Sequence, residues 1–233
     1  MTPLRLRIFI AIAALSAAVF IRLGIWQLDR REQRRAWNAL VRSRLDSAEV
    51  DLTAVPRDTG RAHFRRVRLS GIPDYEHELV LSNGRNPNPG SPGVNLITPV
   101  RFAGTDTAII VNRGWVYSPD AATIDLSRWH DRDSSFTGYV DVLPATGGMH
   151  FKNRPRVVSG LSIATLVTAL PYPVSSLYVV ALNDSAPAPD RPARLGVPSL
   201  GDGPHLSYAI QWFGFALVAL AGTAVVLAKS RSA

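Results

Sequence analysis

Pro204-His205-Leu206-Ser207-Tyr208-Ala209-Ile210-Gln211-Trp212-Phe213-Gly214-Phe215-Ala216 opens an apolar run that continues to Ala228. A membrane-spanning helix of about 22 residues fits within this run, roughly 33 Å at 1.5 Å per residue, enough to cross the hydrocarbon core of a bilayer. Pro204 suits the first helical position, where its missing N–H would be unpaired anyway. The pattern predicts a transmembrane helix over 204–228, with Lys229 and Arg231 after it. Polar and aromatic side chains crowd its first two turns. Whatever chemistry the chain performs is expected where this helix leaves the bilayer.

A matching segment lies near the start. Residues 6–28 are mainly apolar, with Arg5 and Arg7 at their start. A signal peptide would end near Ala17-Ala18, but the apolar run continues through Phe20-Ile21 and Leu23-Gly24-Ile25-Trp26, so an uncleaved transmembrane helix is expected. Trp26 then lies in the aromatic belt. Arg22, about one turn earlier, can snorkel toward the headgroups. Ala13/Ala17 and Ala14/Ala18 place small residues at i,i+4, suited to close packing on another helix.

Residues 29–47 read as a juxtamembrane amphipathic helix. Trp37, Leu40, Val41 and Leu45 recur at helical spacing. Arg30, Arg31, Arg34, Arg35, Arg42 and Arg44 occupy the other face. That face is either solvated or rests on anionic lipid or a partner.

Residues 60–200 change character. Arg66–Ser70 alternates with period two, Glu78–Leu81 is a short run, and 94–100 and 108–117 are rich in β-branched residues. Gly104-Thr105-Asp106 is the turn between the last two. Strands are also expected at 136–140 and 177–182. Residues 161–170 fit a short helix or a strand, and 183–203 is a Pro-rich loop. The fold class is therefore an integral membrane protein, with two transmembrane α-helices flanking one mainly-β (α+β) domain.

Composition narrows the function. Among 233 residues there is no Cys, which excludes thiolate metal sites, redox pairs and disulfides. The formal charge is +8, and Lys occurs only at Lys152 and Lys229. Anionic lipid headgroups or acidic partners fit that charge. Nucleic acid does not, because no aromatic-laced basic patch gathers. No Gly-x-Ser-x-Gly, P-loop or dinucleotide fingerprint occurs, and His63, His77, His130 and His150 lack metal-ligand spacing, so nothing supports catalysis. Asp74-Tyr75-Glu76-His77-Glu78 reads as a solvated turn.

Two places look chemical. His205, Tyr208 and Trp212 sit at i, i+3 and i+7, on one helical face. The partial positive charge of a helix N-terminus suits a neutral imidazole, which is the metal-binding form. His205 is then either an axial ligand to haem iron or a belt histidine bonded to backbone or lipid. Tyr208 and Trp212 are cofactor contacts or interface anchors. Arg113, in Val111-Asn112-Arg113-Gly114-Trp115-Val116, can bind a carboxylate with its planar fork or pair with a local acid or carbonyl. Gly114 suggests a bulge or close backbone approach.

Three stretches taken together resemble the Surfeit locus protein 1 family of cytochrome c oxidase assembly factors. They are Leu23-Gly24-x-Trp26-Gln27-Leu28-x-Arg30, Gly93-x-x-x-Ile97-Thr98-Pro99 with 111–116, and His205-Leu206-x-Tyr208-Ala209-Ile210-x-Trp212-Phe213-Gly214. Gly203-Pro204 stands where the family often has an Asn pair. The resemblance implies a cell-membrane protein with both termini cytoplasmic and the middle domain extracytoplasmic. It also implies a non-enzymatic role in assembling an aa3-type oxidase, with subunit I as partner and haem a as a transient cofactor. His205 would be the iron ligand, Tyr208 and Trp212 the walls, and Arg30 or Arg113 the propionate partners. An accessory protein bound to the oxidase or a respiratory supercomplex without haem is the other expectation.

Overall fold

A computed structural model describes residues 2–102, 104–120, 123–130, 134–182 and 190–231. The chain divides into two units: residues 1–42 with 199–233, and residues 43–198. Part of the expected 183–203 loop, residues 183–189, lies outside the described residues.

The first unit contains two long helices. α1 runs unbroken from Pro3 to Leu45, 43 residues. The expected transmembrane and juxtamembrane segments are thus one helix. No Gly or Pro breaks it between Leu4 and Leu45 except Gly24, which costs a helix only about 1 kcal/mol relative to Ala. α4 spans His205–Arg231, 27 residues. Both helices are long and apolar enough to cross a membrane, and little of either apolar window is buried inside the protein. This is a two-span membrane protein with an α+β middle domain.

Burial along α1 follows positions 10, 13, 17, 20, 24 and 27, and along α4 positions 205, 209, 212, 216, 219 and 223. Both series step by three and four, the 3.5-residue seam of a two-helix coil. Ala17, Gly24, Ala209 and Ala216 are its buried small residues, which let the backbones approach. Of the expected small pairs, Ala13/Ala17 lies on the seam and Ala14/Ala18 does not. Arg22 is exposed away from the seam, with its stem able to reach the headgroup level.

The second unit holds one mixed sheet. Its strands are β1 (Val50–Asp51), β2 (Arg66–Ser70), β3 (Ile72–Pro73), β4 (Leu79–Leu81), β5 (Gly93–Arg101), β6 (Ala108–Tyr117), β7 (Ser135–Val142), β8 (Val157–Val158) and β9 (Val174–Ala181). Among the described residues the order is β1-β2-β7-β9-β6-β5-β4-β8, with β3 beside β5. This unit takes in residues from 43 onward: Val55 belongs to its core, and Val50 and Leu52 pack against it. Residues 163–169 form a helix, α3, capped by the Ser162 hydroxyl, which accepts from Thr165 N–H. A one-turn helix, α2 (Thr59–Ala62), is capped by Asp58 in the same way.

β6 is buried on both faces. Ile110 packs with Leu79, Ile97 and Leu166, while Val111 packs with Val67, Val140 and Val179. Both faces of this central strand are covered, so its sequence reads as a nearly continuous apolar run. Between Leu96 and Ile97 the β5–β6 register shifts, leaving Arg113 as the extra residue of a bulge. The next residue, Gly114, has φ +129, and a β-carbon there would lie 2.4 Å from Ala193 O. Only glycine fits.

Candidate functional site

The site grows from the start of α4. Gly203 has φ +71 and leads the chain through Pro204 into the helix. A β-carbon at position 203 would come 3.4 Å from His205 Cδ2 and 3.6 Å from Nε2, ordinary contact distances, so glycine is the residue that places no side-chain atom against that edge of the ring. His205 Nδ1 lies 2.9 Å from Gln27 Oε1 on α1. An amide oxygen only accepts, so Nδ1 donates. The expected histidine therefore meets a residue of the Leu23–Arg30 motif that was not singled out.

The contact continues down the seam. A β-carbon at Gly24 would fall 2.6 Å from the Phe213 ring, so glycine is what admits Phe213. Trp212 stacks on Phe20 with ring centroids 5.8 Å apart and planes at 24°. Phe215 joins both rings. The first and third motifs are thus two halves of one helix–helix contact. Trp212 is engaged in that packing, whereas Tyr208, 46% exposed, stands beside the seam. Arg30 is exposed and donates to Gln33 Oε1 at 2.8 Å.

Just before α4, Asp202 sits between Arg35 and Arg31, at 2.7 and 3.6 Å. The Arg35 hydrogen bond chiefly holds the Asp202 carboxyl below its ordinary value. Asn38 and Arg34 donate to Gly201 O. Part of the arginine face expected to be solvated or lipid-bound therefore ties the approach to α4 onto α1.

Arg113 corrects an expectation. Its side chain has 0% exposure, so it has no surface to offer a propionate. It donates to Glu78 Oε1 at 2.8 Å and to Trp129 O, and its guanidinium lies 5.1 Å from the centre of the Tyr75 ring. Thr98 also donates to Glu78 Oε1. The reading of Asp74–Glu78 as a solvated turn fails at Glu78, which is fully buried. The buried carboxylate of Glu78, just ahead of β4, is what makes a buried arginine affordable. Among the described residues no group of three or more His, Asp or Glu could hold a metal ion. A lone imidazole with one ring nitrogen open retains the donor chemistry of a haem axial ligand.

The SURF1 family model matches residues 14–217. The chain belongs to the SURF1 family. A SURF1-like protein of Rickettsia felis is 25% identical over 215 residues, covering 88% of this chain and 91% of that protein. A SURF1-like protein of Mycobacterium tuberculosis is 26% identical over 227 residues, covering 93% and 81%. Surfeit locus protein 1 of Gallus gallus is 30% identical over 107 residues, 40% of this chain and 35% of that one.

This SURF1 family member carries a second polar constellation, in the sheet unit, that sequence reasoning missed. A cleft of about 210 Å³ is lined by Arg85, Asn112, Tyr139, Asp141 and Tyr178 among others. Asp141 meets His63 Nε2 at 2.9 Å and accepts from Val142 N–H and the Tyr178 hydroxyl. Burial alone would raise the Asp141 carboxyl, but these hydrogen bonds outweigh it and hold the group below its ordinary value. Burial pushes the Tyr139 phenol up to about 12 and Tyr178 higher still. Both phenols therefore stay protonated: Tyr178 donates to Asp141, and Tyr139 accepts from Arg85. No local signal joins His63, Asp141 and Tyr178, which come from three separate segments.

Proposed function

We propose that this SURF1 family member is a non-enzymatic assembly factor for an aa3-type cytochrome c oxidase, assisting haem a insertion into subunit I or its stabilisation. The observation that carries the reading is His205, at the mouth of the second apolar helix, with Nδ1 engaged by Gln27 and no side chain from Gly203 against its Nε2 edge. Haem a would supply iron chemistry only in passing, as cargo. Tyr208 flanks His205 one turn along the helix, Trp212 steadies the helix pair, and Arg30 is the remaining arginine for a propionate. Arg5, Arg7, Lys229 and Arg231 favour cytoplasmic termini in the cell membrane, with the middle domain extracytoplasmic. The exposed arginines of α1 suit anionic lipid at the outer face of the span.

The test is the visible spectrum of detergent-purified protein made alongside haem a synthesis, compared with His205→Ala. The wild type should carry haem and the variant should lose it. Equal spectra would sink the ligand role.

One observation favours a second reading. Gly24 meets Phe213, Gln27 meets His205 and Phe20 meets Trp212 across the helix pair, so the same residues also suit a purely structural hairpin. On that reading the protein is an accessory companion of the oxidase or a respiratory supercomplex. Co-purification with oxidase subunits would then survive His205→Ala.

A further inference from the structure

We propose that Gln27 is the positioning residue of His205, holding its imidazole in the tautomer that keeps Nε2 unprotonated beside the Gly203 notch. A neutral imidazole carries one donor and one acceptor nitrogen. The Gln27 side-chain oxygen lies 2.9 Å from Nδ1, and an amide oxygen cannot donate. The ring proton is thereby held at Nδ1, and Nε2 is left as the acceptor. No other hydrogen bond of the ring occurs among the described residues.

The partner is delivered by a rigid element. Gln27 lies on the α1 seam one turn after Gly24, whose bare backbone receives Phe213. Phe20 stacking on Trp212 secures the next turn down. Gln27 therefore reaches His205 from a packed helix pair, so its carbonyl needs little ordering to make the bond. On the other side of the ring, Gly203 places no side-chain atom against the Cδ2–Nε2 edge, where a β-carbon would lie 3.4 to 3.6 Å away.

Histidines that bind metals commonly donate their second nitrogen to an oxygen acceptor, which fixes ring orientation and raises ligand basicity. A Gln at position 27 supplies this without placing a charge at the bilayer boundary. The ligand part of the inference rests on the reading above that His205 meets haem iron; the tautomer part does not.

The experiment uses the full chain in lipid nanodiscs with 15N-labelled histidine, the His205 signals being assigned by their loss in His205→Ala. The wild type should show a protonated Nδ1 and a bare Nε2. Gln27→Leu should lose that preference, and Gln27→Glu, which keeps an oxygen acceptor, should retain it. Titration with ferric haem b should then show Gln27→Leu binding about 10–100-fold more weakly than wild type, with Gln27→Glu close to wild type. A protonated Nε2 in the wild type, or an unchanged tautomer in Gln27→Leu, overturns the proposal. Tautomer control by Gln27 with no haem binding in the wild type upholds the positioning role and overturns the haem reading.

Discussion

At the scale of single residues, the most consequential side chains are buried charges. Arg113 and Glu78 are both fully enclosed, and removing one partner leaves the other charged in an apolar interior. Arg113→Met should lower unfolding free energy by about 3–5 kcal/mol, read from denaturant midpoints of the detergent-solubilised protein. Glu78→Gln should cost less, because Gln still accepts from Arg113. A larger loss in haem binding than in stability for Arg113→Met would contradict the structural role. Asp141 predicts a pH effect. Its pKa in the folded protein is lowered, so as pH falls the unfolded chain takes up the proton first. The stability it contributes is therefore present above about pH 4 and is lost as pH falls below that value. Asp141→Asn should have a lower unfolding midpoint at neutral pH and a shallower acid limb. Arg113 was recognisable in the sequence because an arginine inside an apolar strand demands a partner. Glu78 was not, because it lies 35 positions away and looked like part of a polar turn.

At the scale of elements, the decisive contact is the seam between α1 and α4. Gly24→Leu would drive a side chain into the Phe213 ring, which is already 2.6 Å from the position of a β-carbon. Thermal unfolding of this variant in detergent should fall well below wild type. Phe213→Ala should restore part of the loss in the double variant, as expected for contacting residues. Additive losses would show that the two residues do not meet. The helix lengths were legible because apolar runs of this length have few alternatives. The seam was half legible: Ala13/Ala17 lies on it, but Ala14/Ala18 has the same spacing and does not. Spacing marks which residues suit a close approach, and the partner helix chooses among them.

At the scale of the whole molecule, the two units rest on different physics. The helix pair relies on small-residue packing and a few polar bonds, as membrane helices do. The sheet unit has apolar clusters on both faces of its central strands. Residues 43–198 expressed as a separate fragment should therefore give a cooperative unfolding transition and strand-rich circular dichroism. A non-cooperative transition would show that the sheet depends on the helices. The sequence alone established the two apolar helices and the strands at 94–100 and 108–117, and it marked Gly114 for a bulge or a close backbone approach. Each of these is written in neighbouring residues, because helix and strand periods, turn chemistry and span length are local properties. Folding in three dimensions decided that Gln27 meets His205, that Arg113 turns inward to Glu78, and that His63 and Tyr178 both meet Asp141. Those pairings join segments distant in the chain, and only packing brings a buried donor to the acceptor it requires.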